Sequence, residues 1–453
     1  MISEIVARQR AYFKTGASLP LKTRLEALRK LQNALRQNEG KLNEALMADL
    51  HKSAGESYMT ETGIVLHELR YIIKHLPKWS KIRNVPTPLA HFHSKSFIVP
   101  EPYGVALVIS PWNYPVQLSL SPVIGAIAAG NCVVLKPSAY APATSRALAE
   151  LLGSLYDPGF VTVIEGGREQ NQALLSEKFD YIFFTGSVDV GRHVMECAAK
   201  NLTPVSLELG GKSPVIVDET ANLKTAATRV AFGKILNAGQ TCVAPDYVLV
   251  QKSVREPFLK AFKEAMEACF PGDDMGDMPH IISGKHFERL TGLLKSGRVY
   301  YGGQTDAAAR YISPTILDGV KPDDPVMLEE IFGPIMPVLE YDTLNDAIVF
   351  VNERPHPLAL YLFTTSRQTE KEVLSSVRFG GGCVNDTVIH LANAHMGFGG
   401  VGDSGMGSYH GKQSFDTFTH YKSILKKFNW IDMPMRYHPY DKKKEKMVRM
   451  LVK

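Results

Sequence analysis

At 453 residues, with 45% apolar and 21% charged side chains, the chain is too apolar for disorder and long enough for two or three compact units. Its formal charge of +5 does not mark a nucleic-acid binder: Tyr421 to Lys453 hold ten Lys/Arg against three Asp/Glu, a surplus of seven that leaves the body at −2. The five scattered cysteines (132, 197, 242, 269, 383) form no CxxC pair, which excludes a disulfide framework, makes a metal site unexpected and suits a reducing compartment.

The opening "MISEIVARQRAYFKTG" has the periodicity of an amphipathic helix and lacks the apolar core of a secretory signal, so a cytoplasmic protein is expected. Residues 21 to 82 continue as a helical layer, with Leu25, Leu28, Leu31 and Leu35 at helical spacing and a second stretch through Ile64, Leu69 and Ile72. "SKSFIVPEPYG" reads as a strand or arm. Between Glu101 and Lys136 there is no charged residue, but Pro111, Asn113, Pro115, Gln117 and Pro122 break the run, so buried sheet and helix account for it better than a membrane span.

"GVALVIS", "CVVLKPS", "VTVIEGG", "YIFFTGS" and "VSLELGG" are short β-branched runs separated by helix-compatible segments. That alternation predicts an α/β fold, a doubly wound parallel sheet that binds its ligand at the carboxyl ends of the strands. The polar candidates lie at those ends: Asn113 after the first run, Lys136 after the second, Gly186 and Ser187 after the fourth. A second α/β pattern starts near "SPVIVDE" at 213, with a helix from about Leu223 to Leu236, the Cys242 turn, a strand "YVLV" and a helix to Phe270. It runs through "EEIFGPIMPVLEY" and "ALYLFTTS" to "GGGCVND", expected to be a turn, and the Gly-rich "HMGFGGVGDSGMGSYHG", expected to be a loop.

Four groups could carry chemistry. Cys242 follows a polar turn, "NAGQT", that can leave a sulfur accessible for nucleophilic attack, although a lone thiol is also an ordinary buried residue. Glu208, at the end of an apolar strand in "SLELGGKSP", is awkward to bury; a raised pKa would follow, useful to a general base, with an N-cap or ion pair as the structural alternative. Asn113, between two prolines in "SPWNYP", is either an oxyanion donor or a turn residue. In "FTGSVDVG", a strand leads to Gly186 and Ser187, and Gly191, five residues after Gly186, is expected to open a helix, a weak form of the dinucleotide-binding pattern.

Taken in order, "SPWNYP", "LKPS", "FTGSVDVG", "LELGGKSP", "GQTC" and "EIFGP" resemble the aldehyde dehydrogenase superfamily over nearly the whole chain, most closely its class 3 branch. The resemblance implies an NAD(P)-dependent oxidation of an aldehyde, medium-to-long aliphatic or aromatic, to the carboxylic acid. Cys242 would form the thiohemiacetal and then the thioester, Asn113 and the Cys242 N–H would stabilise the oxyanion, and Glu208 would activate the hydrolytic water. On the cofactor, Lys136 would bind the adenosine ribose, Gly186 and Ser187 would lie near the pyrophosphate, Glu330 would hold the nicotinamide ribose and Phe332 would pack beside the ring, with Ser138, Ala139, Gly191 and Leu209 also among the cofactor-binding residues. Ala139 stands where many NAD-preferring relatives carry an acidic residue, so NADP is expected to be accepted beside NAD.

The same resemblance implies a Rossmann-like cofactor domain over residues 1–82 and 104–206, a catalytic domain over 207–390, an oligomerisation arm over 83–103 and 391–430, a basic tail over 431–453, and a homodimer. Pocket width would fall to side chains such as Tyr58, Met59, Trp112 and Thr387. Two other chemistries compete. A CoA-acylating dehydrogenase would have no use for Glu208, and a non-redox cysteine hydrolase would need a histidine near the thiol and leave "FTGSVDVG" unexplained.

Overall fold

The computed structural model describes residues 2–270 and 276–452. Its first sheet has six strands, in the order Gly405–Met406, Val205–Glu208, Tyr181–Thr185, Val105–Ile109, Cys132–Lys136 and Val161–Val163. The last five are mutually parallel. Every residue of Val105–Ile109, Cys132–Lys136 and Tyr181–Thr185 is buried, as expected of strands covered by helices on both faces. After Val105–Ile109 the chain steps outward to one side, then returns to lay Tyr181–Thr185 on the other, so a crevice opens between the carboxyl ends of those two strands.

The helical layer comprises Ile2–Lys14, Leu21–Gln37, Glu39–Leu50 and Gly63–Trp79, with a five-residue π turn, Tyr58–Thr62, leading into the last of these. The charge-free stretch forms the Val105–Ile109 strand and the helix Gln117–Ala129, all of whose residues are buried. Pro122 lies inside that helix without ending it.

The second sheet has seven strands, in the order Arg298–Tyr301, Thr315–Asp318, Ile335–Tyr341, Tyr247–Gln251, Pro214–Val217, Ala359–Phe363 and Gly381–Val384. "GGGCVND" therefore includes an edge strand rather than only a turn. Glycine is needed there for close approach, since a Cβ on Gly382 would stand 2.0 Å from the Leu360 carbonyl oxygen. The chain crosses between sheets after Glu208, whose strand still belongs to the first sheet, and not after residue 206. Gly405–Met406, expected in the arm, returns to pair antiparallel with Leu207 and Glu208.

Arg83–Val85, Ser94–Pro102 and Thr419–Lys427 make a separate antiparallel three-stranded arm. The basic tail contains a helix, Lys442–Leu451, with no buried residue. No helix among the described residues is long and apolar enough to cross a membrane.

Candidate active site

The helix Leu223–Ile235 delivers the chain to the turn that carries Cys242. Asn237, Ala238 and Gly239 follow it with φ of 53°, 52° and 70°, three successive residues in the left-handed region. Such backbone costs roughly 1–3 kcal/mol for each non-glycine residue and persists only where the surroundings hold it. Here they do. A Cβ on Gly239 would stand 2.2 Å from the Gly333 carbonyl oxygen, and the Asn237 side-chain amide donates to the carbonyls of Asn113 at 2.8 Å and Gln240 at 3.0 Å. Gln240 in turn donates to the carbonyl oxygens of Asn237 and His280, both at 3.1 Å, and its side-chain oxygen accepts from the Ile282 N–H.

On either side of the sulfur the turn is pinned by tyrosines. The hydroxyls of Tyr114 and Thr241 lie 2.5 Å apart, and Tyr361 donates to the Val243 carbonyl at 2.5 Å. Cys242 itself is only partly buried. Burial, followed by the negative charges of Glu330 and Glu208, pushes its thiol up to about 12.

Asn113 follows the Val105–Ile109 strand and is buried. Its side-chain nitrogen donates one hydrogen to the Gln240 carbonyl at 3.0 Å, which orients the amide beside the cysteine turn and leaves its second hydrogen uncommitted. Glu208 ends its strand 3% exposed, and neither carboxylate oxygen has a hydrogen-bond partner. Burial alone holds this carboxyl well above the usual range. A carboxylate this poorly solvated is a strong base once ionised, so the ion-pair and cap alternatives raised by the sequence find no partner here.

An apolar cavity of about 180 Å³ is lined by Cys242 together with Met59, Tyr114, Leu118, Phe232, Ile389 and Phe398 among others. Of the four side chains expected to set its width, Met59 does so. Thr387 is turned away, donating its hydroxyl to the Arg229 carbonyl at 2.7 Å, and Tyr58 is half exposed outside the cavity. Trp112 meets Phe332 edge to face at 5.3 Å and belongs to the crevice instead.

The remaining candidates follow the strands of the first sheet or lie against residues that do. Lys136, 2% exposed, ends its strand with Nζ donating to the Pro137 carbonyl at 2.6 Å, and burial lowers it to about 8. Ser138 is partly buried and Ala139 exposed beside it. Ser187 starts the helix Val188–Ala199 with no side-chain cap, so the first amides of a twelve-residue helix face outward. Gly191 is buried in that helix, where a Cβ would strike Leu209 at 2.6 Å; these two let the helix sit low on the sheet. Glu330 is raised to about 8 by burial and Asp246, and takes the Gly211 N–H. A free helix N-terminus, a buried lysine without a carboxylate partner and an aromatic pair at the other end fit a dinucleotide.

Several supporting residues were not singled out from sequence. Asp246 accepts from the Ile331 N–H at 3.0 Å and from Lys212 Nζ at 2.5 Å, tying the Glu330 segment to the cysteine strand. Tyr114, Thr241 and Gln240 flank the predicted residues, but single side chains beside a motif carry no periodic signal of their own.

The profile of the aldehyde dehydrogenase family matches residues 1–424. The 4,4'-diaponeurosporen-aldehyde dehydrogenase of Staphylococcus aureus is 48% identical over 436 residues, 95% of each chain. The dimeric NADP-preferring aldehyde dehydrogenase of Canis lupus familiaris is 43% identical, covering 97% of this chain and 98% of its own. A solved structure described as the substrate-bound state of Staphylococcus aureus AldH superposes with a TM-score of 0.98 at 46% identity over the full length of both chains.

Proposed function

The chain belongs to the aldehyde dehydrogenase family and oxidises aldehydes with NAD or NADP, and from that premise we propose the residue roles by which it does so. Cys242 is the nucleophile. As its thiolate it adds to the aldehyde carbon, and the carbonyl oxygen becomes an oxyanion met by the free hydrogen of the Asn113 amide and by the Cys242 N–H. When bound, the cofactor supplies the acceptor for the hydride and its electron pair, which leaves an acyl thioester on Cys242. Glu208, ionised, takes a proton from water as the water oxygen bonds to the thioester carbon; the C–S bond then breaks, freeing the carboxylic acid and returning Cys242 as its thiolate, with the proton left on Glu208.

The observation that carries this reading is the meeting of two features. Cys242 lines an apolar cavity, and Glu208, buried with both oxygens unpartnered, adds its charge to burial and to Glu330 in raising the thiol. Lys136, Ser138, Gly186, Ser187, Glu330 and Phe332 would hold the dinucleotide. Gly191 and Leu209 serve it indirectly, through the packing of the helix start. Met59, Leu118 and Phe398 favour a hydrocarbon chain or aromatic ring over a charged substrate. The exposed strand Thr419–Lys427, with one edge unpaired, supports association with a second copy, as in the dimeric dog relative. A cytoplasmic protein fits the free thiols.

The test is formation of reduced nicotinamide from hexanal and benzaldehyde, with NAD and with NADP, in the presence and absence of CoA. Turnover without CoA supports hydrolysis through Glu208; turnover only with CoA would put the acylating chemistry in its place.

A further inference from the structure

Three titratable groups of the helical layer lie beside the candidate site without a part in the chemistry above. Lys52 and Glu61 are both fully buried, with Nζ 2.8 Å from Oε1. Both come from "KSAGESYMTE", a stretch whose charges look from sequence like a solvated surface. The π turn Tyr58–Thr62 is what turns Glu61 inward. Removing an ion pair from water costs several kcal/mol per ion, and replacing such a pair by apolar groups is often neutral or stabilising, so stability alone does not account for it.

Its remaining contacts all lead to the cysteine and the oxyanion donor. Lys52 Nζ also donates to the Asn113 carbonyl at 3.2 Å and lies 4.3 Å from the centre of the Tyr114 ring, whose hydroxyl holds Thr241. Glu61 Oε2 accepts the N–H groups of Val116 at 3.0 Å and Gln117 at 2.8 Å, so the pair grips the "WNYPVQ" segment at both ends. From the same layer, Glu56 Oε1 accepts the Asn237 N–H at 2.7 Å, at the first left-handed residue of the cysteine turn. Asn237 closes the circuit by donating to the Asn113 carbonyl. The two segments that must face each other come from different sheets, and these three side chains tie them together.

We propose that Lys52, Glu56 and Glu61 are positioning residues, a buried clamp that sets the Asn113 amide against Cys242 for oxyanion stabilisation. The inference rests on the roles given to Asn113 and Cys242 above. A clamp of this kind acts on rate and not on cofactor affinity, because a displacement of about 1 Å at the reacting atoms costs on the order of a hundredfold in rate.

The test uses the full-length enzyme carrying Lys52→Met and Glu61→Gln together, which removes both charges and leaves neither one buried alone. Single-turnover formation of reduced nicotinamide from hexanal is measured with and without Asn113→Ala, beside cofactor affinity by fluorescence titration. The neutralised pair should lose about tenfold to a hundredfold in single-turnover rate with cofactor affinity unchanged. Combined with Asn113→Ala, it should be no slower than Asn113→Ala alone, within about twofold. Multiplying losses, or a wild-type rate in the neutralised pair, would overturn the clamp while leaving the role of Asn113 intact. A wild-type rate in Asn113→Ala would overturn that role and the clamp with it. If the neutralised pair does not fold, Glu56→Ala, at a partly exposed position, decides by the same two measurements: a non-additive loss of about tenfold supports the clamp, and no loss or a multiplying one overturns it.

Discussion

A methyl group on Gly210 would stand 2.0 Å from Oε2 of Glu330 and 2.6 Å from its Cδ. The glycine is required for space, since its φ is not in the left-handed region. Gly210→Ala therefore has to push the Glu330 carboxylate aside. With Glu330 on the nicotinamide ribose, the loss of one hydrogen bond to a charged group should raise the KM for NADP about tenfold. Alkylation of Cys242 by iodoacetamide at pH 6.5, which needs no cofactor and where Glu330 carries no charge, should keep its rate. An unchanged KM would remove Glu330 from the cofactor site.

Glu208 predicts opposite effects on turnover and on stability. Without its base, Glu208→Gln should still form the thioester, giving a burst of reduced nicotinamide equivalent to one turnover and then a slow steady rate, whereas Cys242→Ser should give no burst. Burial raises the folded-state pKa of Glu208 above its unfolded value. Above the unfolded pKa, therefore, the unfolded chain has released a proton that the folded chain retains, and stability falls as pH rises toward the folded pKa. Glu208→Gln removes that loss. Its Tm should exceed that of the parent enzyme at pH 8 and match it at pH 4; equal Tm differences at the two pH values would show that the carboxyl is not protonated in the fold.

Much of this site could be read from local sequence because its residues end strands or follow them. The runs "GVALVIS", "CVVLKPS" and "YIFFTGS" contain continuous apolar strands, so whatever ends or follows them must stand at a carboxyl end, and Asn113, Lys136 and Gly186 do. The helix expected from about Leu223 to Leu236 is there as Leu223–Ile235, one turn before the cysteine. What could not be read depends on contacts distant in the chain. Gly382 lies in a strand because Leu360 approaches it, although glycine triplets usually mark turns. Thr387 turns its hydroxyl to Arg229, 158 residues away, and so leaves the cavity wall. Lys52 and Glu61 look like surface charges until the π turn and the "WNYP" loop are brought together, and no periodicity announces a π turn.

The thiol of Cys242, at about 12, is almost entirely protonated at neutral pH in this arrangement. Alkylation by iodoacetamide should therefore keep accelerating from pH 7 to 10, by less than tenfold per pH unit around pH 8 where Glu330 gains its charge, with no plateau below pH 10. After burial, Glu330 is the largest cause of the shift, and it titrates near 8 itself. Glu330→Gln should thus speed alkylation at pH 9.5, where the parent carries the negative charge, and leave it unchanged at pH 6.5, where Glu330 is protonated. A plateau near pH 7 in the parent would mean that the sulfur is better stabilised as thiolate than its surroundings indicate.

Ala139 is exposed just beyond the buried Lys136, where the adenosine ribose of the cofactor would lie. A methyl side chain there offers no hydrogen bond to a ribose 2′-hydroxyl and no repulsion to a 2′-phosphate, whereas a carboxylate would supply both. The nearby positive charge is Lys136, whose Nζ donates to the Pro137 carbonyl rather than to an acid. Ala139→Glu should lower kcat/KM for NADP by at least tenfold, as expected of a like charge brought against a phosphate, and leave that for NAD equal or improved. The ratio of the two efficiencies, measured with one aldehyde at one ionic strength, is the quantity to follow because it cancels any general damage to the enzyme. If the ratio does not move, the 2′ position is read by other residues and Ala139 has no part in the choice between the two cofactors.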